Sequence, residues 1–312
     1  MKFNNEHFKL MMEKLEFPAV AVETFTYIND MLERDNAWGS RFKALIDEYM
    51  YPEADGLEVV LPKVDAFADE FEIDRRTMNL LFFLHCAEIM HRRYPEAGIS
   101  DEYFWESAKD FKYKLLECMD CCLIPGNDTG GWHRGFLELW RVGVGRFQYE
   151  DSEYDGEDVT LKSGFVLKKG RKMLGFHIPS SGVPLTDEVR LASYRKIYSL
   201  VKNSKYADEY IDENGYLLFC CGSWLLHKAH YEFLPKHLNI LKFMDDFEIL
   251  RSSEKDEFSN DWRVYGKYAR LAPEAWPEDT SLRKAYKQWI LSGGKAGDGW
   301  GVILFDGENI VR

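Results

Sequence analysis

The sequence predicts an α+β protein in which an N-terminal α-helical bundle precedes a mixed α/β domain. In the first third, apolar residues recur at the spacing of helix turns and never alternate with period two. Later segments such as 136–150 alternate and are rich in valine and aromatic residues, which is typical of strands. The glycine-rich segment IPGNDTGGWHRG at 124–135 separates the helical pattern from the strand pattern, so we predict domains at 1–124 and 125–312.

The composition of the 312-residue chain argues against several classes of function. Asp and Glu total 53 against 40 Lys and Arg, and the net charge of −13 repels a phosphate backbone, so we expect no nucleic-acid partner. The chain contains no run of about eighteen apolar residues, so we expect no membrane-spanning helix. The N-terminus lacks the apolar core of a secretory signal, which favours a cytoplasmic location.

The six cysteines point to buried thiols rather than to disulfides or a metal site. Two adjacent pairs, Cys121–Cys122 and Cys220–Cys221, are unlike a disulfide framework. Cys118 and Cys121 have C-x-x-C spacing, but a zinc site needs two further ligands and the chain has no second C-x-x-C. We therefore predict no metal cofactor.

Capping residues place the helices of the first part. Ser40 is a candidate N-cap for the apolar pattern that begins at Phe42, and Asp74 is a candidate N-cap for the long segment that Pro95 ends. Ser100 and the acidic residues after it predict the start of a further helix that runs to about Cys122, because negative charge is stabilised at a helix N-terminus.

The second part predicts the order three strands, helix, strand, helix, two strands, helix and strand. Thr186 and Thr280 cap its two longer helices. Segments 239–250 and 262–269 are predicted strands. The segment RVGVGR at 141–146 has the letters of a phosphate loop but does not lead into a helix, so we interpret it as a strand whose glycines mark a bulge or a close approach.

Two strand ends hold the candidate site residues. The first strand ends at His177 and Ile178, and a Pro-Ser-Ser-Gly turn then leads into the helix capped by Thr186. Ser180, Ser181 and Gly182 suit an anion through backbone N–H groups near a helix N-terminus, although the same letters fit an ordinary connection. A histidine at a strand end is either a general base or a structural residue.

The second strand end lies in LLFCCGSWLLHKAH, residues 217–230. A serine nucleophile in an α/β-hydrolase occupies a tight Gly-x-Ser-x-Gly turn, but Leu225 replaces the second glycine after Ser223. Cys220 and Cys221 alternate on the strand, so only one can face a given side, and Cys221 is the better candidate for the edge of a cleft.

Five segments of the second part resemble a known family of bacterial acyltransferases, which combine a helical N-terminal domain with a GNAT-like C-terminal domain. These segments are LWRVGVGRFQYE (139–150), GFHIPSSGVPLT (175–186), CGSWLL (221–226), LPKHLNILKF (234–243) and DTSLRKAYKQWILSGG (279–294). The chain departs from the family at Gly222, where relatives often have histidine. It also lacks the usual GNAT donor-loop signature at 179–184.

The resemblance implies a GNAT-like fold and an acyl-CoA co-substrate, which includes acetyl-CoA or another pantetheine thioester, with an amine as acceptor. It implies that the donor lies between two splayed parallel strands and that the turn after the first strand holds the pyrophosphate. In this chain the loop from Pro179 to Pro184 occupies that place, and the predicted cofactor-binding residues are Ile178, Ser180, Ser181 and Gly182.

For catalysis we predict His177 as base or orienting residue and Ser223 or Tyr231 as the acid near the sulfur, with Cys221 as a covalent nucleophile in a variant mechanism. Two other classes remain open. One is a GNAT fold that binds a donor without catalysis, and the other is a thioesterase or hydrolase that uses Ser223 or Cys221. The sequence leaves the acceptor, the acyl length and the oligomeric state undetermined.

Overall fold

The computed structural model describes residues 3–51 and 56–312, and the chain forms two compact units, 1–143 and 144–312. In the residues described, helices make up the first unit up to Leu137. They are α1 (Asn5–Lys14), α2 (Ala19–Arg34), α3 (Asn36–Met50), α4 (Leu57–Glu70), α5 (Arg75–Glu96), α6 (Asp101–Cys122) and the short α7 (Arg134–Leu137). The predicted α-helical bundle is therefore confirmed.

The core of the first unit forms around α5, which is buried along most of its length because its apolar residues cover more than one face. Asp74 caps this helix as predicted, since its carboxylate accepts a hydrogen bond from the Arg76 N–H at 2.8 Å. The prediction for Ser40 is wrong. The helix α3 begins at Asn36, because the Asp35 carboxylate accepts hydrogen bonds from two backbone N–H groups of its first turn.

The glycine-rich segment after residue 124 does not end the first unit. The Thr77 hydroxyl donates to the Pro125 carbonyl at 2.7 Å, and Phe136 and Leu137 are buried in the helical core. The first unit consequently continues to Gly143, whereas the sequence suggested a domain boundary at 124.

From residue 141 onward the chain contains strands interleaved with helices. They are β1 (Arg141–Val144), β2 (Phe147–Glu153), β3 (Val159–Thr160), β4 (Val166–Leu167), β5 (Lys172–His177), α8 (Asp187–Lys202), α9 (Ala207–Tyr210), β6 (Leu217–Ser223), α10 (His230–Phe233), α11 (Asn239–Asp245), β7 (Glu248–Lys255), α12 (Asp261–Tyr265), α13 (Ser281–Leu291) and β8 (Ala296–Phe305). The α+β class is confirmed.

A six-stranded mixed sheet of order β1-β2-β5-β6-β8-β7 is the scaffold of this part, and β3 and β4 form a separate small hairpin. Strands β5 and β6 run parallel, while β2–β5, β6–β8 and β7–β8 are antiparallel. Helix α8 connects the parallel pair, as a parallel connection requires. Thr186 and Thr280 cap α8 and α13 as predicted.

Two predicted strands are wrong. Most of 239–250 is helix α11, and the strand β7 begins only at Glu248. Segment 262–269 is α12 followed by a 3₁₀ turn. A short apolar run fits the period of a helix as well as that of a strand, so packing decides which one forms. In the second segment Tyr265 is buried against Trp276, with ring centroids 4.2 Å apart.

Segment 141–146 is not the one continuous strand predicted from the sequence, because β1 ends at Val144. Gly145, at φ +63°, lies in a turn between β1 and β2. In the part of the chain that the structure describes, no helix is long and apolar enough to cross a membrane.

Candidate active site

The parallel strands β5 and β6 separate at their carboxyl ends. They pair only at Gly175–Cys220 and at the position before it. Beyond that point β5 stays paired with β2 as far as His177, and β6 stays paired with β8 as far as Ser223. Within the described residues the two strands thus pair with their outer neighbours but no longer with each other. Backbone polar groups on the facing edges are then available to an extended ligand.

The β5–α8 loop, residues 178–186, leaves this split and leads into a helix of four turns. Gly182 has φ +111°, a conformation that favours glycine. At the far end of the loop the Arg190 guanidinium donates to the Leu185 carbonyl at 2.7 Å, and Thr186 caps α8 through its side chain. The loop therefore enters α8 in a defined conformation.

Arg146, in the turn between β1 and β2, also holds the β5–α8 loop. Its Nη2 donates to the Pro179 carbonyl at 2.9 Å and its Nε donates to the Val183 carbonyl at 2.7 Å. One side chain thus spans both ends of the Ser-Ser-Gly turn.

The predicted anion-binding residues all lie on this loop. Ile178 and Ser181 are half-buried, whereas Ser180 and Gly182 are exposed. Among the described residues, the N–H groups of Ser181 and Gly182 donate to no backbone carbonyl. N–H groups close to a helix N-terminus suit a negatively charged group, because the helix dipole is positive there.

His177 lies next to a carboxylate from the neighbouring strand. Its Nε2 lies 2.9 Å from Oε1 of Glu150, and the His177 side chain is 33% exposed. The register pairs Gln148 with His177 and Glu150 with Gly175, so the Glu150 side chain lies diagonally across from His177 on the same face. A partly exposed imidazole oriented by a carboxylate is an arrangement that serves general-base catalysis.

The cysteines of β6 are unsuited to nucleophilic chemistry. Cys221 is 3% exposed, and burial raises the pKa of its thiol, which disfavours the thiolate. Cys220 lies on the opposite face, where its thiol donates to the Ser152 hydroxyl at 3.3 Å, and burial raises its pKa as well. Cys221 therefore lies near the end of β6, but it is buried in the core.

Ser223 ends β6 and begins the next turn. Its Oγ accepts a hydrogen bond from the Leu225 N–H at 3.2 Å, so it caps the 3₁₀ turn that follows. This bond uses a lone pair of the oxygen and leaves the hydroxyl proton able to donate. Along the strand Ser223 alternates with Gly222, and by that alternation it lies on the face opposite to His177.

Tyr231 is 47% exposed on α10, and its hydroxyl donates to Oδ1 of Asp245 at 2.9 Å. Burial and the Asp245 carboxylate raise the pKa of this phenol. The two histidines that precede and begin the helix, His227 and His230, are buried. His230 is hydrogen-bonded to the Tyr286 hydroxyl, and burial lowers its pKa to about 3.

Sequence reasoning missed two residues of this site, Glu150 and Arg146. Both lie within a segment that the resemblance already marked, and the alternation of β2 indicated that Glu150 shares a face with Gln148. Which strand pairs with which, however, is not encoded locally, so neither contact could be predicted. In the described ranges, no group of three or more His, Cys, Asp or Glu side chains could hold a metal ion.

Comparison with protein families matches both parts of the chain. The GNAT-like C-terminal domain matches residues 141–303, and the N-acyltransferase N-terminal domain matches residues 6–139. These matches confirm the predicted combination of a helical N-terminal acyltransferase domain with a GNAT-like C-terminal domain. No curated protein sequence matches the chain.

Solved acyltransferase structures are similar over most of the chain. An acyltransferase in complex with decanoyl-CoA aligns with TM-score 0.69 and 18% identity, covering 96% of this chain and 88% of that one. An acyltransferase with decanoyl-CoA and teicoplanin aligns with TM-score 0.69, 19% identity and the same coverage. A mutant with octanoyl-CoA gives TM-score 0.68 and 18% identity, again at 96% and 88%. At these identities the likeness demonstrates a common fold.

Proposed function

We propose that this chain, which belongs to the family of the GNAT-like C-terminal domain, transfers an acyl group from acyl-CoA to an amine. The observation that carries the proposal is the split between β5 and β6, which opens directly onto the β5–α8 loop. An extended thioester donor needs a strand edge for its amides and an N–H-rich turn for its phosphates, and this region offers both.

The pantetheine arm is proposed to lie between the separated strand ends, with the pyrophosphate on Ser180, Ser181 and Gly182. Ile178 then borders the arm where it leaves the loop. The similar structures contain decanoyl-CoA and octanoyl-CoA, which supports a donor with an acyl chain of medium length. We also propose a cytoplasmic location, in keeping with cysteine pairs that are unlike a disulfide framework.

His177 is proposed to take the proton of the attacking amine. The amine nitrogen forms a bond to the thioester carbon, the C–S bond breaks, and the proton lost by nitrogen balances the proton gained by the sulfur. The Glu150 carboxylate lies 2.9 Å from Nε2 of His177 and is proposed to position the imidazole. The products are an amide and free CoA thiol.

Ser223 is proposed as the group that donates to the departing sulfur, because its hydroxyl proton is not consumed by its capping bond. A thioester between the strands would then have His177 toward one face of the sheet and Ser223 toward the other. Tyr231 is the second candidate for this role, but its proton already points to Asp245. Burial of Cys221 argues against a covalent intermediate.

To test this proposal, the protein is incubated with acyl-CoAs of increasing chain length, with and without an amine acceptor. The melting temperature and the free CoA thiol are then measured. A donor present at about 100 times its Kd adds about 2.7 kcal/mol to the stability, which a thermal scan detects. The proposal expects a rise in melting temperature and CoA release that depends on the amine.

Release of CoA without any amine would identify a thioesterase instead. A thermal shift without release in the presence of any amine tested would identify a binding module. No shift with any acyl-CoA would overturn the donor assignment.

A further inference from the structure

We infer that Arg146 is a positioning residue that holds the β5–α8 loop in the conformation that binds the donor pyrophosphate. This inference rests on the proposed function, because it assigns a role within the proposed donor site. Arg146 lies far from the loop in sequence, in a segment whose letters first suggested a phosphate loop of its own.

The contacts of Arg146 tie together the two ends of the Ser-Ser-Gly turn. Its guanidinium donates to the carbonyl of Pro179, before the turn, at 2.9 Å and to the carbonyl of Val183, after it, at 2.7 Å. A planar guanidinium with donors in a fixed fork can bridge two acceptors, whereas the single ammonium group of lysine lacks this fixed geometry.

The bond to the Pro179 carbonyl also orients an N–H group of the turn. Within a planar trans peptide the C=O and the N–H point in opposite directions. Because the Pro179 carbonyl points toward Arg146, the N–H of Ser180 in the same peptide points away from it. Arg146 thus directs one of the proposed phosphate-binding N–H groups outward without needing to contact the phosphate.

The position of Arg146 is itself set by α8, the helix that the loop enters. The Arg146 N–H donates to the Ser193 hydroxyl at 2.8 Å, and this hydroxyl donates to the Val189 carbonyl at 2.8 Å. A Cβ at Gly145 would lie 2.5 Å from the same hydroxyl, so only glycine permits this close approach. The turn, the loop and the first part of α8 are therefore fixed relative to one another.

The experiment measures the Kd of each protein for an acyl-CoA and for the matching acyl-pantetheine, which lacks the pyrophosphate and nucleotide. For Arg146→Ala we expect the Kd for acyl-CoA to rise at least tenfold and the Kd for acyl-pantetheine to change less than twofold. For Arg146→Lys we expect a smaller rise, confined again to acyl-CoA. The lysine variant keeps the test decisive if the alanine variant does not fold.

Arg171→Ala is the matched control. Arg171 is also half-buried, and its guanidinium also donates to two backbone carbonyls, those of Tyr210 at 2.9 Å and Tyr216 at 3.3 Å. These carbonyls lie outside the β5–α8 loop, so this variant reports the general cost of removing such an arginine. Its ratio of the two Kd values should equal that of the wild-type protein.

The Kd values distinguish a wrong pyrophosphate site from a wrong role of Arg146. If the wild-type protein binds acyl-CoA no better than acyl-pantetheine, the proposed pyrophosphate site is wrong and the role of Arg146 is overturned with it. If the wild-type protein prefers acyl-CoA and both Arg146 variants keep that preference, the inference alone is overturned. A preference lost equally in Arg171→Ala would also overturn it, because the effect would then be one of general stability.

Discussion

The two strand ends that form the split use similar residues in opposite ways. At the end of β5, His177 is partly exposed beside a carboxylate, and arginine side chains bind the carbonyls of the loop that follows. At the end of β6, Ser223 caps a turn, and His227 and His230 are buried. The first end thus leaves its histidine partly exposed, whereas the second end is followed by two buried histidines.

This difference shows that residue type alone is a poor guide to chemistry. The segment 217–230 carries two cysteines, a serine and two histidines within fourteen positions of the chain. Burial raises the pKa of each cysteine and lowers the pKa of each of these histidines, which disfavours the thiolate and imidazolium states. The reactive candidate is instead His177, whose environment combines exposure with a charged partner.

The largest expected effect is on turnover at the end of β5. His177→Gln removes the proposed base while keeping a polar side chain, and we expect kcat/KM to fall by about 10²–10⁴. His237→Gln, at an exposed histidine of the same unit, is the control and should retain wild-type activity. A His177→Gln protein with wild-type kcat/KM would remove the residue from the mechanism.

The second effect concerns the buried ion pair between Arg190 of α8 and Asp246, which follows α11. Arg190 donates to both carboxylate oxygens of Asp246, at 2.6 and 3.1 Å, and both side chains are buried. Asp246→Asn removes the buried counter-ion of Arg190 and leaves only the exposed Asp187 carboxylate, 3.1 Å from the guanidinium. We therefore expect the free energy of unfolding to fall by about 3 kcal/mol in denaturant titrations, the low end for a broken buried pair.

The exposed pair of Arg195 and Glu308 is the control for this measurement. Glu308→Gln should change the free energy of unfolding by less than about 0.5 kcal/mol, because solvent screens exposed pairs. Equal effects of Asp246→Asn and Glu308→Gln would show that burial does not decide the strength of the first pair.

The third effect is a pH dependence of the stability that arises at His230, the first residue of α10. Burial, aided by the neighbouring His227, lowers the pKa of His230 to about 3 from 6.5. Between pH 6.5 and 3 the unfolded chain therefore binds one proton more than the folded chain at this residue. Its contribution to stability is complete above pH 6.5 and falls by about 1.4 kcal/mol per pH unit below it.

Denaturant titrations of the wild-type protein and of His230→Gln at pH 7, 6 and 5 measure this contribution. The variant is less stable at every pH because it loses the bond to Tyr286, but its stability should fall less steeply as the pH decreases. The same pH slope in both proteins would show that His230 titrates normally in the folded chain.

The smallest expected effect separates the two candidates for the group near the sulfur. Ser223→Ala should lower kcat by about tenfold, which corresponds to about 1.4 kcal/mol, while Tyr231→Phe should have a smaller effect because the Tyr231 proton is engaged by Asp245. The reverse order of the two variants would assign the role to Tyr231 and would place functional chemistry on α10.

Local signals predicted the parts of the fold that depend on neighbours in sequence. Asp74, Thr186 and Thr280 each cap the predicted helix, because a cap involves only the first turn that follows it. The wrong strand at 239–250 has the opposite cause. Leu241, Phe243 and Met244 fit either period, and only their burial in the packed unit selects the helix.

The sequence by itself determined the fold class, the family resemblance, the position of His177 at a strand end and the polar turn after it. These features follow from periodicity, from capping and from the order of the segments along the chain. Only the tertiary structure placed Glu150 beside His177 and Arg146 across the β5–α8 loop. It also decided that His227 and His230 are buried. Contacts between residues distant in sequence, and the burial that shifts a pKa, exist only once strands pair and helices pack, so no short stretch of sequence encodes them.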